Sequence, residues 1–183
     1  MNILIVYASQ EGQTATIAQF IADAIRRHGH QATVLSGNHL PKDFSTADFD
    51  AAIIGGSIHM SAFPGYLETF ITTHRDWLNQ VPSAMFTVCM AIHSKNAKEQ
   101  ATARSFGPEL ADKTRWQPKM METFAGAIKY RQYGFITRLI MRYIAKKEGG
   151  DTDTSRDHEY TDWDAVTRFS EQFLIEAGAG VNI

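Results

Sequence analysis

Six residues near the amino terminus, Ser9-Gln10-Glu11-Gly12-Gln13-Thr14, carry the strongest chemical signal in the chain. Hydroxyls, a glycine and the free N–H groups of a helix start suit a phosphate, because unpaired backbone donors and the positive end of the helix dipole converge there. Gly12 permits a turn that side chains would crowd. The run lacks the Gly-Lys-Ser/Thr of a P-loop, and it offers one of the three glycines of a dinucleotide fingerprint. A single phosphate monoester is the better fit, with an ordinary polar strand-to-helix turn as the plain alternative.

The elements around this loop follow from hydrophobic periodicity. Short apolar runs alternate with segments of helical period, the pattern of a parallel sheet wrapped by helices. Strands are expected at Asn2 to Tyr7, Gln31 to Leu35, Phe49 to Ile54, Ala84 to Ala91 and Lys119 to Phe124. In Thr14 to Arg27, Ile17, Ala18, Ile21, Ala24 and Ile25 make one face of an amphipathic helix that Gly29 stops. Further helices are expected from Pro64, in the first turn, to about Asn79, over Ala97 to Asp112, and over Asp162 to Glu176 behind the cap candidates Thr161 and Asp162. About 35 residues, roughly 127–160, separate the fifth strand from the last helix, where a doubly wound domain would connect directly.

The chain has 183 residues, 44% hydrophobic and 21% charged, which is one domain of globular composition rather than a disordered or fibrous chain. Its single cysteine, Cys89, excludes an intramolecular disulfide and a Cys-rich metal site and fits a reducing compartment, so cytoplasm is the expected location. The start shows no secretion signal. The longest suggestive stretch, Phe135 to Ile144, is interrupted by Arg138 and Arg142, which argues against a spanning helix. The net charge of −2 conceals an asymmetry: residues 129–147 hold six basic groups and no acid, leaving twelve basic against twenty acidic groups elsewhere.

The loop resembles the flavodoxin phosphate loop, Ser/Thr-x-Thr-Gly-x-Thr: Ser9, Gly12 and Thr14 fall on that pattern and Glu11 departs from it. Glu11 is expected to turn its carboxylate outward and offer only its backbone N–H. The resemblance implies an α/β doubly wound five-stranded parallel sheet of order 2-1-3-4-5, binding FMN at the carboxyl ends of the strands. It implies FMN contacts from Ser9, Gln10, Glu11, Gly12, Gln13 and Thr14, from Ser57, Ile58 and His59 after the third strand, from Met90, Ala91, Ile92 and His93 after the fourth, and from Gly126. His59 and His93 could equally meet the substrate or stay solvated. Neither loop supplies the Trp and Tyr that sandwich the ring in many electron-carrier flavodoxins, which leaves one face open.

A more specific resemblance covers nearly the whole chain. Gly55 to Ile58, Trp116-Gln117-Pro118, Gly126-Ala127, the basic aromatic insertion, Gly149-Gly150-Asp151-Thr152-Asp153-Thr154 and Tyr160-Thr161-Asp162-Trp163 are similar to the flavodoxin-like quinone-dependent protoporphyrinogen IX dehydrogenases. That family implies FMN-dependent oxidation of protoporphyrinogen IX to protoporphyrin IX in bacterial haem biosynthesis, with electrons passed to a membrane quinone. No general base is evident, so no catalytic residue is assigned. A flavodoxin-type electron carrier and an NAD(P)H:quinone reductase remain the alternatives, although a basic surface beside the site suits a carrier poorly.

Within the insertion, Phe135, Ile136, Leu139, Ile140, Tyr143 and Ile144 share one helical face, and Arg138, Arg142 and Lys146 form another. A basic amphipathic helix of this kind suits an anionic membrane surface, with Arg138, Leu139, Arg142, Tyr143 and Lys146 in contact, on the cytoplasmic face of the inner membrane where the quinone resides. The same apolar face could instead cover the chain's own core or a second copy in a homo-oligomer. Lys129 and Arg131, just beyond the fifth strand, are the candidates for a clamp on the two propionates of a porphyrinogen. Nucleic acid is not expected, because the stripe is amphipathic and no nucleic-acid motif accompanies it. The acidic run Asp151 to Arg156 is not read as a calcium loop: Arg156 replaces the required glycine and Asp162 stands where a bidentate Glu belongs. A turn that caps the last helix and packs Trp163 is expected there.

Overall fold

In this computed structural model, residues 1–128 and 158–180 are described. Strand β1 (Asn2–Ala8) leads through the phosphate-loop candidate into α1 (Gln13–Arg27), then β2 (Gln31–Ser36), β3 (Ala51–Ser57), α2 (Gly65–Leu78), β4 (Ser83–Val88), a single 3-10 turn (Met90–His93), α3 (Ala97–Thr114) and β5 (Met120–Phe124). Two short strands follow, β6 (Ala127–Ile128) and β7 (His158–Glu159), and then the last helix α4 (Trp163–Glu176). The main sheet has the order β2-β1-β3-β4-β5, with every neighbouring pair parallel. This is the expected doubly wound arrangement, with its switch point between β1 and β3.

Both faces of the central strands β1, β3 and β4 are buried, which is why these read as apolar runs. Alternate residues part to opposite layers: Ile3, Ile5, Ile53 and Phe86 pack under α1 and α4 with Ile17, Ile21, Ile25, Phe169 and Phe173. Leu4, Val6, Ile54 and Met85 pack under α2 and α3 with Leu67, Phe70, Leu110 and Trp116. The expected apolar face of α1 is the face that is buried, and Gly29, at φ 84°, ends that helix in the left-handed region. Trp116 is 2% exposed, and its indole Nε1 donates to Ser83 Oγ at 2.9 Å, which in turn donates to the Leu78 carbonyl.

Several element boundaries differ from the sequence expectation for identifiable reasons. The third strand does not stop before Gly55-Gly56; both glycines are in β3. A Cβ at Gly55 would lie 2.0 Å from Phe86 Cζ, and one at Gly56 would lie 2.5 Å from Leu67 Cδ2 and 2.6 Å from Phe63 Cδ1. The pair therefore makes room for rings on both faces rather than a turn. Strand β4 ends at Val88, and the apolar residues beyond it close the 3-10 turn. Pro64 caps α2 instead of occupying its first turn. Asp162 caps α4 by accepting from the Ala165 N–H at 3.0 Å, while Thr161 bonds elsewhere, donating to the Ala125 carbonyl. Trp163 packs on Phe20 with ring centroids 4.7 Å apart.

The insertion has a stem that periodicity did not reveal. Ala127 pairs with Glu159 and Ile128 with His158 in an antiparallel ladder. Residues 129–157 lie outside the described residues; with them lie Lys129 and Arg131, the stripe of Arg138, Leu139, Arg142, Tyr143 and Lys146, and the acidic run from Asp151. Among the described residues no helix is long and apolar enough to cross a membrane.

Candidate functional site

A cavity of about 380 Å³ opens beyond the carboxyl ends of β1, β3, β4 and β5, within the size range of small-molecule sites. Its wall brings together Ser9, Gln10, Glu11, Gln13 and Thr14 from the first loop, Ser57, Ile58 and His59 from the end of β3 and its loop, Met90 after β4, and Gly126 after β5. Ten of the residues expected from sequence to contact one ligand thus line one cavity. Gly12 does not line it; it borders a shallower depression shared with Tyr7, Ser36, Asn38 and His39. Ala91, Ile92 and His93 are also absent from the wall. The 3-10 turn carries them away, and the His93 ring sits against Tyr160 at 4.7 Å.

The first loop is built as its composition suggested. Gly12, at φ 86°, is the N-cap of α1 in a left-handed conformation that glycine adopts without strain, and its N–H donates to Ser9 Oγ at 2.9 Å. No side chain caps the first-turn N–H groups of α1, and no acid stands in that turn. Those donors stay available to an outside acceptor. Thr14 is 1% exposed, and its Oγ1 is buried without a hydrogen-bond partner. An orphaned buried hydroxyl costs roughly 1–3 kcal/mol, so it needs an explanation. A phosphate oxygen held at the start of α1 supplies one. These features fit the FMN phosphate, and Gly126, where a Cβ would lie 3.0 Å from Val88 Cγ1, keeps the far wall open. Glu11 is half-buried and lines the wall.

Met60, the last residue of the loop expected to flank the ring after the third strand, also lines the cavity, and two further lining residues, Val88 and Ala127, were not anticipated. Met60 and Ser61 form the corner of a two-residue turn in which His59 and Ala62 exchange both backbone hydrogen bonds. Both corner residues are left-handed, at φ 49° and 61°, the geometry of a type I′ turn without its usual glycine. The turn projects Met60, 89% exposed, at the cavity edge. Cys89, directly after β4, is buried, and burial pushes its thiol up, partly opposed by a backbone hydrogen bond from Ala91.

A family model described as a flavodoxin domain matches residues 4–155. The protoporphyrinogen IX dehydrogenase [quinone] of Escherichia coli (strain K12) is 30% identical over 172 residues, spanning 94% of each chain. The chain belongs to this flavodoxin-like quinone-dependent dehydrogenase family. A relative of the same name from Leishmania major is 30% identical over 174 residues, covering 93% of this chain and 73% of its own. The family is one of oxidoreductases, and the chain is an enzyme of that class. Among solved structures, a flavodoxin from the domain Archaea superposes with a TM-score of 0.57 at 13% identity, over 97% of this chain and 99% of that one, a likeness of fold.

Proposed function

We propose that this dehydrogenase family member binds FMN, oxidises protoporphyrinogen IX to protoporphyrin IX and passes the electrons to a membrane quinone, in haem biosynthesis. The single observation that carries the cofactor is the orphaned Thr14 Oγ1 in a cavity wall shared with the uncapped start of α1. The substrate and acceptor are those of the relatives' name, protoporphyrinogen IX dehydrogenase [quinone], and these relatives align over 94% and 93% of this chain. FMN, when bound, supplies the two-electron redox chemistry, and the protein supplies binding, orientation and electrostatics.

In this reading Thr14 Oγ1 and the first-turn N–H groups of α1 hold the phosphate, and Ser57, Ile58, His59, Met90 and Gly126 flank the ring. Met60 gives the open face an apolar edge suited to a flat tetrapyrrole. Lys129 and Arg131 clamp the propionates. Arg138, Leu139, Arg142, Tyr143 and Lys146 rest on an anionic membrane at its cytoplasmic face, where the quinone is reached.

The test is anaerobic. FMN-loaded protein is mixed with protoporphyrinogen IX and a soluble menaquinone analogue, and porphyrin fluorescence is followed against blanks lacking enzyme or quinone. Fast, quinone-dependent growth is expected. A bound, reducible flavin with oxidation no faster than the blank would overturn the substrate and leave an electron carrier or an NAD(P)H:quinone reductase, which steady NADH consumption distinguishes. For the membrane, Arg138→Glu/Arg142→Glu should lose co-sedimentation with anionic liposomes at moderate salt; pelleting like the parent would refute the contact.

A further inference from the structure

Gln13, the first residue of α1, is 8% exposed, and its side-chain amide is spent on the insertion stem. Its Nε2 donates to Glu159 Oε1 at 2.9 Å and to Thr161 Oγ1 at 3.0 Å, which uses both amide hydrogens. Thr161 Oγ1 donates onward to the Ala125 carbonyl at 3.0 Å, and the Tyr160 N–H donates to the Gly126 carbonyl at 3.0 Å. The Tyr160 ring also packs against His93, with centroids 4.7 Å apart. The stem is therefore fastened to three segments: the first loop, the turn after β4 and the exit from β5. Gln13, Gly126 and Ala127 line the same cavity, so a ligand seated there meets both sides of the Gln13 contact.

We propose that Gln13 is a positioning residue that couples occupancy of the cavity to docking of the insertion stem. A ligand whose phosphate fixes the first turn of α1 also fixes Gln13. Gln13 then holds Glu159 and Thr161, and with them the two chain ends, Ile128 and His158, from which residues 129–157 depart. Coupling of this kind is reciprocal: a docked stem strengthens ligand binding by the same factor that the ligand strengthens docking. Undocking the stem exchanges the two Gln13 hydrogen bonds for bonds to water, so a Gln13 already held in place favours the docked stem. Cofactor binding thus holds more firmly the two ends from which the insertion departs. This inference rests on the flavin reading above.

The experiment uses the full chain and two readouts, the FMN Kd by fluorescence quenching and hydrogen–deuterium exchange of peptides spanning 125–128 and 158–161. FMN should slow exchange of both peptides in the parent. Glu159→Ala/Thr161→Val should weaken FMN about fivefold, the scale of one lost net hydrogen bond, and remove that protection. Glu159→Gln, which keeps an acceptor oxygen, should restore parental behaviour. Adding Gln13→Ala to the pair should cost no more than either change alone, because the groups act as one unit. Should the pair unfold, Thr161→Val alone carries the test with the same readouts. If the parent binds FMN but the stem exchanges equally with and without it, or the pair keeps the parental Kd, the coupling is overturned while the flavin reading stands. If the parent binds no FMN, the flavin reading falls and the coupling with it.

Discussion

Replacing Thr14 with valine should move two measurements in opposite directions. The Thr14 hydroxyl is buried with no protein partner, so the empty chain carries its desolvation cost without return. Valine keeps the shape and the β-branching while removing the oxygen. A gain of roughly 1 kcal/mol is expected for the chain without ligand, or about 2–4 °C in Tm at this chain length. With FMN present the same change removes a hydrogen bond to a charged oxygen, worth roughly 1.5–3 kcal/mol. The FMN Kd should therefore rise about 10- to 150-fold. Thermal unfolding with and without FMN, together with a fluorescence-quenching titration, reads both effects. A variant that is less stable when empty yet binds FMN like the parent would refute the reasoning, because the hydroxyl would then be serving the fold and not a ligand.

Three further outcomes are expected. Gly55→Ala should lower the urea midpoint by an amount equivalent to roughly 1–3 kcal/mol, because its Cβ would lie 2.0 Å from Phe86 Cζ, and Gly55→Ala/Phe86→Leu should recover part of the loss. Trp116→Phe should cost roughly 1–3 kcal/mol through the lost bond to Ser83 Oγ and the space left by the indole; a midpoint equal to the parent's would show that this bond does not contribute. His74 packs against Phe44 and Phe70, and burial holds its imidazole below the ordinary value of 6.5. The unfolded chain therefore takes up the proton first as pH falls. The His74 contribution is complete above that ordinary value and is lost as pH drops through it toward the folded value. Urea midpoints measured from about pH 8 to about pH 5 should fall less steeply in His74→Phe; equal slopes would assign the decline to other groups.

The sheet was legible because its central strands β1, β3 and β4 are buried on both faces and the helices carry regular stripes, as in the run Ile17, Ala18, Ile21, Ala24, Ile25. Strand ends were less so. Gly55-Gly56 reads as a stop when only local preference is counted, and the rings that demand glycine, Phe86 and Phe63, belong to other parts of the chain. The two-residue strands β6 and β7 are too short to show a period, and their partners are distant in sequence. The first loop was readable because its glycine, hydroxyls and helix start are contiguous. Val88 and Ala127 reach the cavity through tertiary placement, and the left-handed Met60-Ser61 corner lacks the glycine or asparagine that would have signalled its turn. Glu159 and Thr161 have the same character, since only the fold brings them to Gln13.

The register Ile128↔His158 also bears on how the insertion could have been acquired. The two ends of residues 129–157 face each other across an antiparallel pair, a separation that a short hairpin turn also closes. A chain with such a turn would keep the main sheet, the first loop and the Gln13 contact unchanged. The entropy of closing a loop rises only slowly with its length, so lengthening the chain at this point strains nothing that the sheet depends on. The stem is in that sense a port: an ancestral fold could exchange what it carries there, and so change what it meets, without renegotiating its core.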